Sequence, residues 1–475
     1  MPNANLFAWF MLIAFVPMSL AAIAIWRPAI SVPVVIFAGQ MFLPPVIGFV
    51  IPALPPFDKE IIPSLSALIG CLIFRPGVFR GARPGKGIDK FLILMIVGFL
   101  GSWLTNRDAL VFPRGVVPGL TVFTFIGGTI AMLLTWGPPI FLGRTVIRSS
   151  QDLLTLVKIV VGSAVIYTIP MMVEMRLSPM LNVWVYGFMQ HQFVQEVRGG
   201  HYRPMVFMGH GLSVAFFTSF AILGAVGLAR IRAQVFGIGA RKVALFLVVI
   251  LVACHSLGAL LYVVCFAPLI VLANTRIQTQ IARWTSMFVL TYPLLRAVGL
   301  IPVPAINAFV QDNFGAERAG SLGLRLSEEE YILNRTLERP VFGWGIGSRA
   351  FRLDPITGEN TSTTDGAWAI EFGHRGIVGF IATFGLAVYP IWKSRRALRR
   401  LSKPDQVLIG SMCLMGAIYL VDQIPNATYD PYATFVLAVL SRVVTNGLED
   451  DSLGAATPFV TGSSPNGNPA VSGES

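Results

Sequence analysis

Arginine is concentrated in one polar segment of the chain, residues 302–365, which contains no lysine. A guanidinium group presents a planar fork of donors and is preferred over an ammonium group where phosphate or carboxylate is held. Lysine would serve equally well for solvation alone. The residue types therefore indicate anion binding by some of the six arginines, which are Arg318, Arg325, Arg335, Arg339, Arg349 and Arg352.

Four of these arginines also have a structural interpretation. Two lie near the end of a predicted helix and suit the negative end of its dipole, and two are close in sequence to acidic residues. The pairs are Arg335 and Arg339 for the helix end, and Arg349 and Arg352 for Asp354 or Glu359. Arg325 fits neither pattern, which makes it the clearest ligand-binding candidate of the six.

A second basic cluster lies at the end of the polar stretch 176–204. It contains Arg198, His201 and Arg203, just before an apolar segment. A lone arginine at the mouth of a membrane span often extends its side chain to the interface and needs no ligand. Two arginines and a histidine within six residues are more basic groups than this interface role explains. We therefore weigh anion binding equally with it.

Asp365 ends the large polar segment and precedes an apolar stretch that begins at Ala367. Its carboxylate is a candidate general base if the fold buries or hydrogen-bonds it. The alternative is a cap for the N-terminus of the following helix. The sequence leaves both interpretations open.

Two elements must position these side chains. Ser327 and Glu330 form the Ser-x-x-Glu pattern of a capping box, which predicts a helix that starts there and ends before Pro340. After it the chain reads RPVFGWGIGS, whose alternating glycines permit tight turns or close approach of the backbone to another group. The segment is therefore expected to be an ordered loop that contains a short helix.

The remainder of the 475 residues is apolar, with 54% hydrophobic and 13% charged residues and a mean hydropathy of +0.69. This composition is far more apolar than that of a typical soluble domain, which indicates a membrane protein. The apolar segments, mostly near the length of about 20 residues that spans a bilayer, are 6–26, 29–54, 58–75, 90–104, 117–142, 153–175, 205–229, 243–254, 257–273, 285–301, 366–391, 405–424 and 427–446. We predict an all-α polytopic membrane protein with about 12–13 transmembrane helices.

The net charge of +12 arises from basic residues in short loops between apolar segments. Membrane orientation explains this pattern, so we predict cytoplasmic basic loops and no nucleic-acid partner. The segment 302–365 then becomes a large periplasmic loop. Counting every segment gives thirteen spans with the first residue outside, or twelve if 58–75 is re-entrant. Residues 1–446 form the membrane domain, and 447–475 are predicted to be a disordered cytoplasmic tail.

The histidines are dispersed along the chain, at positions 191, 201, 210, 255 and 374, and no metal or cofactor motif connects them. We therefore predict neither a metal site nor a cofactor. His255 lies between two short apolar segments, which predicts a polar hinge near one membrane face; a functional role is the less favoured alternative. The four cysteines lie in apolar segments, so no disulfide framework is predicted.

Several short elements occur in a characteristic order over roughly residues 200–390. They are Arg203 followed by Gly209-His210 and small residues up to Ala215, Ser256 with Gly258-Ala259, SLGLRL around Arg325, RPVFGWGIGSRAF at 339–351 and EFGHRGIVGF at 371–380. The Pro-x-Phe-Gly-x-Gly-x-Gly element is the most specific of them. Together with many spans and one large outside loop, they resemble the O-antigen ligase and O-antigen polymerase superfamily.

The resemblance implies a GT-C-like fold and a metal-independent glycosyltransferase in the bacterial inner membrane. Such proteins take a glycan from undecaprenyl diphosphate at the periplasmic face and join it to an acceptor hydroxyl. The implied partners are this lipid-linked donor, a glycan or lipid acceptor, membrane lipids and polysaccharide assembly proteins. Arg203 and Arg325 would stabilise the diphosphate leaving group, together with Arg198, Arg318 and Arg339 on the same two loops.

The chain departs from the family at the position of the base. The family has a histidine where this chain reads Thr364-Asp365-Gly366. Asp365 would then be the base of a divergent branch, such as an exopolysaccharide polymerase, or the protein would be an inactive relative. The hypothesis predicts that Arg203, Arg325 and Asp365 converge on one cavity.

Two functions of other classes are alternatives. A lipid-linked oligosaccharide flippase would also use arginines for diphosphate, but transporters tend to place ionisable residues within spans. In this chain the charges concentrate in the loops. A non-catalytic subunit of a polysaccharide assembly complex would not require Arg203, Arg325 and Asp365 to meet.

Overall fold

The computed structural model describes residues 3–449 except 52–53, 81, 83–84, 86, 199, 363 and 428. Helices dominate this part of the chain. In chain order they are α1 (Leu6–Ile25), α2 (Pro28–Phe42), α3 (Ile62–Phe74), α4 (Asp89–Thr105), α5 (Val122–Val146), α6 (Ser150–Arg176), α7 (Leu181–Tyr186), α8 (Gly211–Arg230), α9 (Ala240–Ala253), α10 (Leu257–Leu272), α11 (Thr275–Ala297), α12 (Val303–Phe314), α13 (Ala316–Leu337), α14 (Ala367–Ala397), α15 (Lys403–Asp422) and α16 (Pro431–Asn446).

The strands are short and form four separate antiparallel hairpins within the described residues. They are β1 (Gly48–Phe49) with β2 (Phe57–Asp58), β3 (Leu110–Phe112) with β4 (Gly115–Val117), β5 (Val197–Arg198) with β6 (His201–Tyr202), and β7 (Gln234–Val235) with β8 (Ile238–Gly239). Single 3-10 turns occur at Pro76–Phe79, Phe193–Glu196, Ser348–Ala350 and Leu398–Arg400. The protein is therefore all-α with hairpins only in its loops.

Each of the thirteen predicted apolar segments overlaps one helix, although helices such as α11 begin well before the predicted segment. By length and composition, six helices of the described chain are able to cross a membrane, namely α1, α5, α6, α8, α14 with the 3-10 turn after it, and α15. The all-α membrane class is thus confirmed at this level. The finer count of 12–13 spans stays a prediction, because helices such as α9 and α10 are shorter than a typical span.

The loops fall into two groups according to their contacts. In the first group, Arg114 N–H donates to Ile356 O at 2.8 Å, so the loop between α4 and α5 lies against the large loop. His191, in the segment after α6, lines one cavity together with Arg325 of the large loop. Asn5 N–H donates to Tyr186 O of the same segment at 2.9 Å, which places the start of α1 with this group too. We call this side the large-loop face.

The second group contains the basic loops. The Arg148 side chain donates to Val78 O at 2.6 Å, and Ser150 Oγ lies 2.8 Å from Asp405 Oδ2. We call this side the basic face. The number of crossings and the identity of the cytoplasmic side stay predictions.

The helix of the large loop differs from its predicted form. The capping-box pattern placed the helix start at Ser327, but α13 begins at Ala316, directly after Gly315. Ser327 is inside the helix, where its hydroxyl donates to Leu324 O at 2.8 Å. The predicted start was wrong because buried side chains on one face, including Ala319 and Leu326, continue the helix upstream. The predicted end is confirmed, since α13 ends at Leu337.

A break in α14 holds the glycine-rich stretch in place. Gly376 has φ 60° and ψ −158°, which interrupts the helical hydrogen bonds. Trp344 N–H donates to Gly373 O, and Ile377 N–H donates to Pro340 O, at 2.8 and 2.9 Å. In an unbroken helix Ile377 N–H would bond to Gly373 O instead. The loop therefore replaces the helical partners that the break removes.

His255 is the hinge that the sequence predicts. It lies between the end of α9 and the start of α10, with φ 49°, a left-handed conformation that is uncommon outside glycine. Its imidazole stacks on that of His201 with ring centroids 4.7 Å apart. The hinge is therefore on the large-loop face, against the β5–β6 hairpin.

Candidate functional site

A cavity of about 360 Å³ lies on the large-loop face. Its lining comes from elements that are far apart in sequence: the loop before α8, the first turn of α8, the middle of α13, the start of α14 and the turn between α15 and α16. The lining residues are His191, Gln195, His210, Leu212, Ser213, Arg325, Thr364, Asp365, Ile370, Asp422, Asn426 and Ala427. This volume falls within the range of small-molecule sites, roughly 300–1000 Å³.

Arg325 and Asp365 meet at this cavity. Arg325 Nε donates to Asp365 Oδ2 at 2.8 Å, although the residues are 40 positions apart. Both side chains keep access to solvent, with 29% and 49% of their surfaces exposed. Since Nε donates to the carboxylate, the two terminal nitrogens of this guanidinium are available to a bound anion.

Asp365 is not a helix cap. The N-cap of α14 is Gly366, and no side chain caps this terminus. The carboxylate of Asp365 instead accepts from Arg325. The capping interpretation was therefore wrong, because the helix begins one residue too late for Asp365 to occupy its N-cap position.

The start of α14 is fixed from two sides. Ala367 N–H donates to Asn426 O at 3.0 Å, which ties it to the turn after α15. Trp368 is fully buried, and its ring packs edge-on against Tyr292 with centroids 5.2 Å apart. Tyr292 OH in turn donates to Glu329 Oε2 at 3.4 Å. These contacts position Asp365 relative to α13, which carries Arg325.

Arg203 lies behind the cavity wall. It is buried, and its N–H donates to Glu196 O at 2.9 Å. A Cβ built on Gly211 would be 3.4 Å from Arg203 Cβ, so Arg203 packs against the first turn of α8. That turn follows His210, which lines the cavity. The structure thus brings Arg325 and Asp365 into contact and places Arg203 one layer away.

Of the other three predicted arginines, Arg318 and Arg339 are not among the described residues that line the cavity. Arg318 is exposed on α13, two helical turns before Arg325. Arg339 donates to Asn106 Oδ1 at 2.6 Å and to Asp108 Oδ2 at 3.3 Å, and its guanidinium stacks on Trp344. Arg339 therefore holds the glycine-rich stretch against the end of α4. The side chain of Arg198 is outside the described residues.

The remaining three arginines form contacts within the protein, as the structural interpretation predicts. Two of them, however, contact residues other than the predicted ones. Arg349 is buried, donates to Pro118 O at 3.1 Å and lies 3.6 Å from Asp108 Oδ2. Arg352 lies 3.4 Å from Glu328 Oε1. Neither pairs with Asp354 or Glu359, which are closer in sequence, because the loop folds back against α4 and α13. Arg335 does lie in the last turn of α13, where its Nη1 donates to Glu338 Oε2 at 2.7 Å.

Sequence analysis missed a cluster of two histidines and a glutamate. The side chains of His191, Glu196 and His210 offer ligand atoms within 4.8 Å of one another. These histidines are 19 positions apart, a distance at which no local motif indicates contact. The sequence signal was the density of ionisable residues in the polar stretch 176–204.

Comparisons with known proteins identify no relatives. No protein-family model matches the chain, and no curated protein sequence matches it significantly. The resemblance to the ligase and polymerase superfamily therefore stays an expectation.

Replacing Glu329 with glutamine is expected to stabilise the protein above pH 7. Burial raises the pKa of Glu329 from its ordinary value of 4.5 to about 7. The folded state therefore binds more protons than the unfolded state between pH 4.5 and 7, and stability decreases as pH rises through this window. Removing the ionisable group should add about 3 kcal/mol above pH 7.

Thermal unfolding in detergent, followed from pH 4 to 8.5, tests this expectation. The glutamine variant should melt above the wild type at pH 8 and lose part of the pH dependence. Glu330→Gln is the matched control, because its neighbouring carboxylate is exposed. Equal melting curves for wild type and Glu329→Gln at pH 8 would contradict the burial penalty.

Proposed function

We propose that this protein is a membrane glycosyltransferase that transfers or polymerises a glycan carried on a lipid diphosphate. The observation that carries the proposal is the Arg325–Asp365 pair, 2.8 Å apart, at a cavity beside apolar helix ends. The pair combines a donor for an anionic leaving group with a carboxylate that accepts a proton. The proposed location is the bacterial inner membrane, with the large loop in the periplasm.

In the proposed reaction the acceptor hydroxyl attacks the anomeric carbon of the donor glycan. A new glycosidic bond forms, the bond to the lipid diphosphate breaks, and the hydroxyl proton passes to Asp365. The terminal nitrogens of Arg325 donate to the diphosphate oxygens as their charge increases. During this step, the hydrogen bond from Arg325 Nε holds the Asp365 carboxylate in one orientation.

A second cavity supports a lipid-linked donor. It has a volume of about 260 Å³ and a mostly apolar lining that includes Phe384 and Leu420. Ile370 and Ala427 line both cavities, so the two are adjacent. A headgroup in the polar cavity would therefore have an apolar space beside it for the first part of its lipid chain. The partners that follow are the lipid-linked donor, a glycan or lipid acceptor, and polysaccharide assembly proteins.

Asp365→Asn is expected to reduce glycan transfer by about 100-fold or more, because the amide cannot accept the hydroxyl proton. The measurement is the formation of high-mass glycan from a lipid-linked donor by purified protein in detergent or liposomes. Asp312→Asn is the control, since this acid is exposed on α12 in the same loop. Wild-type rates in the Asp365→Asn variant would exclude this residue as the base.

A transporter of lipid-linked oligosaccharide is the second candidate, and one observation favours it. Glu371 and Arg375 form an ion pair within α14, a helix long enough to cross a membrane. Transporters often place ionisable residues in this way. The liposome experiment separates the two functions, since transport moves the donor between leaflets with its glycan bond intact, whereas transfer breaks that bond.

A further inference from the structure

Three side chains from two segments converge at one edge of the polar cavity. His191 precedes the 3-10 turn Phe193–Glu196, Glu196 ends that turn, and His210 is the N-cap of α8. Glu196 is fully buried, while the two histidines are partly buried and line the cavity. The cluster therefore has one closed side, at the glutamate, and one side open to the cavity.

The distances from the Glu196 carboxylate to the two histidines are close to those of a coordinated cation. Glu196 Oε1 lies 3.6 Å from His191 Nδ1 and 3.3 Å from His210 Nδ1. With metal–ligand bonds near 2.0–2.1 Å, the ligand atoms of a tetrahedral zinc site are about 3.3 Å apart. Two histidines and one carboxylate are a recurrent ligand set for zinc, with further positions open to water or substrate.

The hydrogen bonding of His210 places an electron pair at the cluster. Leu212 N–H donates to His210 Nδ1 at 3.0 Å. This bond requires an unprotonated Nδ1, and an unprotonated imidazole nitrogen is the form that coordinates a metal ion. The same electron pair would bind the cation, so binding exchanges one hydrogen bond for a coordination bond.

The surrounding charges favour an added cation. Glu196 and Glu174 are both fully buried, and their carboxylates are close enough to repel each other. Arg203 packs beside Glu196 against the first turn of α8, and its backbone N–H donates to Glu196 O at 2.9 Å. Arg325 and Asp365, across the cavity, compensate each other. A divalent cation at the cluster reduces the repulsion between the buried carboxylates.

We infer that His191, Glu196 and His210 form a binding site for one divalent transition-metal ion of the zinc class, open to the polar cavity. Imidazole ligands favour such ions over magnesium or calcium. The inference departs from the metal independence that the family resemblance implies. It goes beyond the proposed function, and its test needs no glycan substrate, so failure of either leaves the other standing.

The test is direct metal binding by the full chain, purified in detergent with a tag that contains no histidine. After equilibrium dialysis against buffered Zn²⁺, elemental analysis should find about one ion per chain in the wild type. His191→Ala and His210→Asn should each weaken binding by at least about 100-fold. His201→Ala is the matched control, because His201 stacks on His255 and is not part of the cluster. It should bind as the wild type does.

Thermal unfolding provides the second measurement. Saturating Zn²⁺ should raise the melting temperature of the wild type and of His201→Ala, but not that of His191→Ala. His191 is partly exposed, so its variant is expected to fold even if substitution at the buried Glu196 prevents folding. Wild type with less than about a tenth of an ion per chain, or unchanged binding in both histidine variants, would overturn the inference.

Discussion

Arg325→Ala is expected to reduce glycan transfer by about 100- to 1000-fold, which is the usual effect of removing one donor that stabilises a developing negative charge. The substitution removes the terminal nitrogens proposed to bind the diphosphate and also the hydrogen bond to Asp365. Both losses affect the transition state, so the turnover number should decrease more than the apparent affinity for the donor.

Two further variants define what Arg325 does. Arg325→Lys keeps the charge but not the planar fork, so it should recover only part of the activity. Arg318→Ala is the matched control, because Arg318 is an exposed arginine on the same helix that does not line the cavity. The rates are measured with a purified lipid-linked donor at equal protein levels. Full activity in Arg325→Ala would remove the observation on which the glycosyltransferase proposal depends.

Gly376→Ala is expected to destabilise the protein strongly. At φ 60° an alanine is strained, at a cost of about 1–3 kcal/mol. Its Cβ would also be only 2.6 Å from Phe342 N, so the loop would have to move away. That movement would separate Ile377 N–H from Pro340 O, and a further loss of about 1–3 kcal/mol is expected from overpacking.

The measurement for Gly376→Ala is thermal unfolding in detergent together with the yield of folded protein. Gly137→Ala is the control, because a Cβ at this position in α5 meets nothing within 4 Å. The control should be neutral or slightly stabilising, since alanine favours helix over glycine by about 1 kcal/mol. If both variants melt like the wild type, the loop does not hold the break in α14 as the structure indicates.

The glycine-rich stretch illustrates where local pattern succeeds and where it ends. The sequence predicted close approach of its backbone to another group, and this is confirmed by the hydrogen bonds between 340–345 and the break in α14. The partner was not predictable, because Gly376 lies more than 30 positions away and its conformation depends on the loop that packs against it. The stretch therefore has a structural role, which is to hold the break in α14.

The large loop shows a different limit. Arginine without lysine led to a prediction of anion binding, which stays a prediction. In the structure most partners of these arginines are distant in sequence, such as Asn106 for Arg339 and Glu328 for Arg352. Ser327 had the right neighbours for a cap and is nevertheless inside a helix. Tertiary packing of the apolar face of α13 overrides the local capping preference.

The sequence by itself determined the class of this protein and the approximate positions of its apolar helices, but not those of the helices in its loops. Apolar segments of near-spanning length can satisfy their backbone hydrogen bonds in a membrane only as helices, so composition and segment length suffice. The tertiary structure alone decided which polar side chains share a cavity. The contact of Arg325 with Asp365 and the approach of His210 to His191 and Glu196 depend on how helix ends pack on one face. The separations of 40, 19 and 14 positions carry no local signal of these contacts.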